Sequence, residues 1–147
     1  MKGCSTLLSF ILTSWLLVGC QTGGVLLRET PLGVSETRRA IVSVMGQPRA
    51  VSENGREILS HFYDKKHKKI EKMDMARERY YTHVKVLGDR RPYDVQVEVF
   101  IESRNAEGEF DLTGRDDGQA EIIAEKIQQA LNQSRDSRNV IDDFRSF

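Results

Sequence analysis

The stretch YYTHVKVLGDRRPYDVQVEVFIES, residues 80–103, decides the fold because apolar and polar side chains alternate on both sides of a turn. In 80–86 every second residue is an aromatic, a threonine or a valine, and in 93–101 every second residue is a tyrosine, a valine or an isoleucine. This period of two is typical of strands with one buried face. Only Phe100 interrupts the polar positions of the second run. Since GDRRP at 88–92 has the composition of a turn, the sequence predicts an antiparallel hairpin.

Upstream of the hairpin, residues 34–45 place apolar side chains at spacings of three and four, which predicts a short amphipathic helix. Ser35 or Thr37 can cap its first turn. Gly46 and Pro48 follow its last apolar residue and end it as a C-terminal glycine and a helix breaker would.

A further strand and a longer helix are predicted on either side of the hairpin. Ile58–Tyr63 follows the turn-forming residues 53–55 and forms the strand. Asp116 or Asp117 can cap a helix over Gln119–Ser134. One stripe of this helix is apolar, which suits packing across a sheet.

The order of elements predicts an α+β fold. It is a two-layer sandwich, in which an antiparallel sheet of three to four strands packs against a short N-terminal helix and a longer C-terminal helix. The fourth strand would come from Val25–Leu27, which can either pair with the sheet or pack at its edge.

The first 19 residues predict an export signal, because Met1-Lys2-Gly3 is followed by an apolar segment that is too short for a comfortable membrane span. Leu17-Val18-Gly19-Cys20 resembles the lipobox of bacterial lipoprotein precursors. The resemblance implies cleavage before Cys20, with a diacylglyceryl group and an N-acyl chain on that cysteine as a membrane anchor. An ordinary signal peptide or signal anchor, with Cys20 incidental, is the alternative.

The predicted organisation is a removed signal peptide at 1–19, a lipidated tether at 20–33, one domain at 34–135 and a tail at 136–147. Gln21 stands where an inner-membrane retention signal would place aspartate, so the lipoprotein resemblance implies the outer membrane, on its periplasmic face rather than at the cell surface.

A second resemblance covers residues 33–63. Gly33-Val34-Ser35, a short helix, Met45-Gly46-Gln47-Pro48 and then SENGREILSHFY are similar to the small outer-membrane lipoproteins of the SmpA/OmlA type. This resemblance implies a non-catalytic accessory subunit of an envelope assembly complex, and it brings no catalytic residues.

The residues themselves indicate no catalytic or metal chemistry. The three histidines have no metal-binding spacing, and GRDDG at 114–118 lacks the alternating ligands of a calcium loop. There is no G-x-S-x-G elbow and no phosphate-binding glycine loop. The lipoprotein resemblance implies that Cys4 is removed with the signal and that Cys20 is acylated, which would leave the mature domain without a free thiol. The prediction is therefore no enzyme, no metal and no cofactor beyond the acyl lipid.

Charge gives two candidate binding regions. With 22 basic and 22 acidic residues, the balance argues against nucleic acid as a partner. Four lysines, Lys65, Lys66, Lys68 and Lys69, form one basic cluster. Arg90, Arg91 and Tyr93 form another at the hairpin turn, where arginine and tyrosine suit a protein partner or an anion. The alternative for both clusters is a solvated surface.

The tail SRNVIDDFRSF, residues 137–147, places Phe144 and Phe147 among charged residues. These two rings are candidate contacts for a partner, unless the tail docks on its own domain. The combined hypothesis is a lipid-anchored envelope protein that acts as a non-catalytic binding or scaffold subunit for an envelope protein. The alternative is a ligand-handling module or enzyme that binds an anionic lipid or glycan through the basic cluster and the hairpin turn.

Overall fold

The structure is a computed structural model that describes the backbone of residues 23–143 and the side chains of residues 23–137. The predicted signal peptide, Cys20, Phe144 and Phe147 lie outside the described residues.

One antiparallel sheet of six strands forms the centre of the described chain. The strands are β1 Val25–Thr30, β2 Ala50–Val51, β3 Glu57–Leu59, β4 Glu78–Leu87, β5 Tyr93–Arg104 and β6 Phe110–Arg115. Their order is β1-β5-β4-β3-β2, and β6 pairs with the part of β5 that β1 leaves unpaired. The helices are α1 Val34–Met45 and α2 Asp117–Asp143, and a 3₁₀ turn spans Met73–Met75. The predicted α+β class is confirmed.

The predicted hairpin is β4 and β5. Val84 pairs with Val97 and Val86 with Val95, so both strands turn their valines to the same face. The helices cover that face, which we call the covered face. Its core is almost fully buried, and the members at 0% exposure are Ile41, Ile58, Val84, Val95, Val97, Ala120 and Ile127. Burying a side chain of this size contributes about 1.5–3 kcal/mol, so this face supplies most of the stability.

The helix starts agree with the sequence at α2 and differ at α1. The Gln119 backbone N–H donates to Asp116 Oδ1 at 2.9 Å, as the predicted cap requires. At α1 the predicted caps are wrong, because the N-cap is Gly33, whose N–H donates to Glu36 Oε2 at 3.0 Å. Thr37 lies inside the helix with 0% exposure, and its Oγ1 has no hydrogen-bond partner among the described residues.

The count of three to four strands is too low. β1 lies within the stretch assigned to the tether, and it pairs along β5 from Val25 opposite Val97. The sheet therefore begins before residue 34, the predicted start of the domain. β2 has only two residues, and β6 has no buried residue, so neither strand carries the buried alternating face that marks the hairpin.

Two further boundaries differ from the sequence prediction. The strand over Ile58–Tyr63 ends at Leu59, and Tyr63 instead makes single bridges to Tyr80 and Lys69. At the C-terminal end, α2 continues through the predicted boundary at residue 135 to Asp143.

Candidate functional site

The two basic clusters lie near opposite ends of β4. Tyr63, just before the lysines, bridges Tyr80 near the start of this strand, whereas Arg90 and Arg91 follow its end at Leu87. At about 3.4 Å per residue, Tyr80 and Leu87 are roughly 24 Å apart. The lysines and the hairpin turn therefore do not form one anion-binding site.

The lysines belong to a tight turn over residues 64–69, which we call the lysine turn. Asp64 Oδ1 accepts the backbone N–H of Lys66 at 2.8 Å and that of Lys68 at 2.9 Å. These hydrogen bonds, that of Lys68 first, lower the pKa of Asp64. The four lysine side chains are exposed and form no ion pair with any described residue. The Asp64 carboxylate thus fixes the turn by accepting the backbone N–H groups of two lysines, and the lysine ammonium groups remain in solvent.

At the hairpin turn, Tyr93 supports the structure more than it offers a contact. The Arg56 guanidinium lies 5.3 Å from the centre of the Tyr93 ring and also donates to the Gly88 carbonyl. Tyr93 is half-buried, whereas Arg90 and Arg91 are exposed. Of the three predicted residues, the two arginines are thus the accessible ones.

The face of the sheet opposite the helices carries rings and cations, and we call it the open face. Tyr81 on β4 pairs with Phe100 on β5, and their rings stack with centres 5.3 Å apart. Phe62 meets the edge of Tyr81 at 5.7 Å. Within the described residues, both helices pack on the covered face. These rings therefore lie under arginine side chains and solvent.

Arginines cover the rings of the open face. Arg49 lies 4.0 Å from the centre of Phe62, and Arg79 lies 3.9 Å from the centres of both Phe62 and Phe110. Arg79 Nε also donates to Glu102 Oε2 at 2.6 Å. Arg49 is exposed and has no ion-pair partner among the side chains at 23–137. Stacking of this kind orients a guanidinium while leaving its N–H groups available.

A buried carboxylate stands at the middle of the open face. Glu98 has 4% exposure, and its two oxygens accept ion pairs from Lys85 Nζ at 3.2 Å and Arg115 Nη1 at 3.4 Å. Gly24 makes room for it: its φ is +94°, and a Cβ there would lie 2.6 Å from Glu98 Cγ. The segment before β1 and two cations therefore enclose this carboxylate.

On the covered side, a cleft of about 610 Å³ opens between the end of α1, the first turns of α2 and the lysine turn. Its lining holds two lysines and no aspartate or glutamate; the residues are Val44, Met45, Gly46, Gln47, Ser60, His61, Phe62, Tyr63, His67, Lys69, Thr82, Gln119, Ile122, Ile123 and Lys126. Tyr63 Oη and Thr82 Oγ1 are hydrogen-bonded at 3.0 Å, and burial raises the pKa of Tyr63.

The histidines are dispersed. His83 Nε2 lies 3.1 Å from Glu57 Oε2 on the open face, whereas His61 and His67 line the cleft. Within the described residues, no three His, Cys, Asp or Glu side chains are grouped so as to hold a metal ion.

Sequence reasoning missed the open face as a candidate site. Phe100 was visible as the exception to the alternation of β5, and it was the one available signal. Arg49, Phe62 and Phe110 join it from outside the long hairpin, so no spacing along the chain could show that they converge.

Comparison of the chain with protein-family models, curated proteins and solved structures found no match. No helix in the described part of the chain combines the length and apolarity needed to cross a bilayer.

Proposed function

We propose that the protein is a lipid-anchored envelope protein that binds another envelope protein through its open face, as a non-catalytic scaffold or accessory subunit. The supporting observation is the set of stacked rings and arginines on the face that the helices leave uncovered. The partner supplies carboxylates to the arginines and an apolar surface to the rings.

The composition of the open face suits a protein interface. Arginine and tyrosine are among the residues that most often dominate binding energy when they are buried against a partner. Arg49 and Arg79 are already held against Phe62, so a partner would immobilise fewer free side chains. Arg79 is also paired with Glu102, which leaves Arg49 as the better donor to a new carboxylate.

The proposed anchor restricts where the partner can lie. Cys20 is three residues before Gly23, so the two Cα atoms are at most about 11 Å apart. The Gly23 carbonyl accepts a hydrogen bond from Gln96 Nε2 at 3.1 Å, which holds the segment before β1 against β5. Acyl chains on Cys20 would therefore hold the domain beside the bilayer. The partner would lie at the membrane surface, on the periplasmic face of the outer membrane.

The resemblance of residues 33–63 to SmpA/OmlA-type lipoproteins supports an accessory role in an envelope complex, and it stays a prediction. The two arginines of the hairpin turn and the phenylalanines of the tail stay candidate secondary contacts.

Crosslinking in cells, followed by detergent extraction and mass spectrometry, tests the interface. The comparison is between Arg49→Glu on the open face and Arg39→Glu on α1, since both replace an exposed arginine by the same residue. We expect wild type and Arg39→Glu to recover the same small set of envelope proteins and Arg49→Glu to lose it. Equal recovery from the two variants would contradict the assignment of the open face.

The anchor has its own test. Wild type should incorporate labelled palmitate and fractionate with the outer membrane after a high-salt wash, whereas Cys20→Ala should lose both properties. Outer-membrane fractionation of Cys20→Ala after that wash would remove the main support for lipidation.

A further inference from the structure

We propose that the cleft on the covered side binds an anionic lipid with a single acyl chain and a phosphate head group. The acyl chain lies between the end of α1 and the first turns of α2, and the phosphate lies between Lys69 and Lys126. Phe62 lines this cleft and also lies under Arg49 and Arg79 on the open face. The proposed lipid contacts on α1, α2 and the two lysines lie outside the open face, so the proposal does not depend on the protein–protein interface proposed above.

The walls of the cleft suit an acyl chain. Val44 and Met45 come from the last turn of α1, and Ile122 and Ile123 come from the second turn of α2. Ile122 is 48% exposed, so part of this apolar wall faces water. A volume of about 610 Å³ falls within the range of pockets that enclose small ligands. A chain in the cleft would remove this apolar surface from water.

The polar groups at the floor are already paired. Ser60 Oγ donates to the His61 carbonyl at 2.8 Å and accepts the Thr82 N–H at 2.8 Å. Tyr63 and Thr82 share a hydrogen bond. These polar groups are therefore hydrogen-bonded within the protein, and an apolar chain can cover the floor without leaving them unsatisfied.

The charges at the rim select an anion. Lys69 and Lys126 line the cleft, and neither forms an ion pair within residues 23–137. Asp64, the acidic residue of the lysine turn, is engaged by two backbone N–H groups. Burial is the main cause of the raised pKa of Tyr63 in the lining, and Asp116 is close enough to raise it further. Lysine binds phosphate as a mobile point charge, so two lysines at one rim are suited to a phosphate monoester.

The hairpin turn provides a matched control. Arg90 and Arg91 also present two exposed cations, but they lie near the other end of β4 and do not line the cleft. Replacing either pair by glutamine removes the same charge from the protein. If the lipid binds through net charge alone, both replacements reduce its binding equally. If it binds in the cleft, only the replacement of the lysines reduces its binding.

The experiment uses the full chain in phosphatidylcholine vesicles with a photoreactive lysophosphatidic acid, whose diazirine sits near the end of its acyl chain. After irradiation, peptide mapping by mass spectrometry locates and quantifies the label. We expect label on the last turn of α1 and the first turns of α2. Lys69→Gln with Lys126→Gln should reduce it about fivefold, and Arg90→Gln with Arg91→Gln should leave it within about twofold.

Two competitors and one variant complete the design. Lysophosphatidylcholine and inorganic phosphate should each displace little label at the concentration where unlabelled lysophosphatidic acid displaces most of it. Ile122→Ser, at a position that is 48% exposed, should also reduce the label, and circular dichroism should show the wild-type fold.

The proposal is overturned by label on the open face, by equal responses to the lysine and arginine replacements, or by no effect of Ile122→Ser. Full displacement by inorganic phosphate would assign the rim to free phosphate instead of a lipid. Full displacement by lysophosphatidylcholine would remove the role of the anionic head group.

Discussion

The two faces of the sheet are built from different interactions. The covered face buries valines and isoleucines under two helices, and Val84, Val95 and Val97 are fully excluded from solvent. The open face holds its rings under arginines and its central carboxylate between two cations. Apolar burial is strong and non-directional, whereas stacked and paired charges are weaker but orient polar groups toward solvent. The covered face therefore stabilises the fold, whereas the open face presents oriented polar groups and rings at its surface.

The largest expected effect is on the covered face. Ile127→Ala removes a side chain with 0% exposure from the contact between α2 and the sheet. The free energy of unfolding should fall by about 2–5 kcal/mol, as measured by urea denaturation. Ile122→Ala is the control, because Ile122 lies on the same helix and is 48% exposed. This substitution should lower the free energy of unfolding by about 0.5 kcal/mol. Equal losses would contradict the assigned orientation of α2.

A smaller loss is expected from the centre of the open face. Glu98→Gln keeps the size of the side chain but leaves Lys85 and Arg115 without their shared carboxylate. The cost should be about 1–3 kcal/mol in the same denaturation experiment. Glu102→Gln should cost less, because the Glu102 side chain is 16% exposed, against 4% for Glu98, and it pairs with one cation instead of two. A loss as large as that of Ile127→Ala would show that the open face carries the fold as much as the covered face does.

The covered face also contains one position that a substitution should improve. The Thr37 hydroxyl is fully buried without a partner, and a valine of similar shape removes its desolvation cost. Thr37→Val should raise the free energy of unfolding by about 1 kcal/mol. Ser43→Ala is a useful comparison, because the Ser43 hydroxyl donates to the Ala40 carbonyl at 2.7 Å and gives no such gain. A loss of stability in Thr37→Val would mean that the hydroxyl has a role in the fold.

Arg49→Ala should separate binding from stability. An exposed arginine over a ring contributes about 0.5–1 kcal/mol, so the thermal midpoint should change little. Recovery of the partner in crosslinking should nevertheless fall well below that of Arg39→Ala. Unfolding of the variant at growth temperature would show that Arg49 acts on the fold instead.

The smallest effect near neutral pH belongs to Tyr80. Burial, followed by the hydrogen bond to Glu78, raises the pKa of Tyr80 to about 12. The folded state favours the neutral phenol, so the associated stability is fully present below the ordinary tyrosine pKa of about 10 and is lost as the pH rises toward 12. Ultraviolet titration of wild type against Tyr80→Phe should show one late-titrating phenol missing from the variant. A missing phenol that titrates near pH 10 would contradict the buried position.

Sequence alone could predict much of the covered face. The alternation in 93–101 and the apolar stripe of α2 are both consequences of burial on one side, and a period along the chain records them directly. β6 could not be predicted in this way, because Leu112 is exposed and the strand pairs with β5 without a buried face of its own. β1 was predicted as one of two alternatives for Val25–Leu27, and its bounds were not, because it follows a glycine pair that is typical of a linker.

The candidate sites could be predicted less well, because they depend on distances between strands. The lysines and the hairpin arginines are visible as charge clusters, but only the length of β4 shows that they are separate. Similarly, Arg49, Phe62 and Phe110 lie in three separate segments of the chain. On the open face, Arg49 stacks on Phe62, and Arg79 contacts both Phe62 and Phe110. Local pattern predicts which residues are buried, whereas tertiary pairing decides which exposed residues become neighbours.

Site-specific photocrosslinking in living cells tests the role of the open face most directly. A photoreactive phenylalanine derivative replaces Leu112 in one strain and Arg39 in another. Leu112 is 59% exposed and pairs with Glu102 on the open face, so the probe leaves Arg49 and Arg79 in place. We expect one discrete crosslinked species, with the same envelope protein on repetition, from position 112 and none from position 39. The same species from both positions, or from position 39 alone, would contradict the open face as the binding surface.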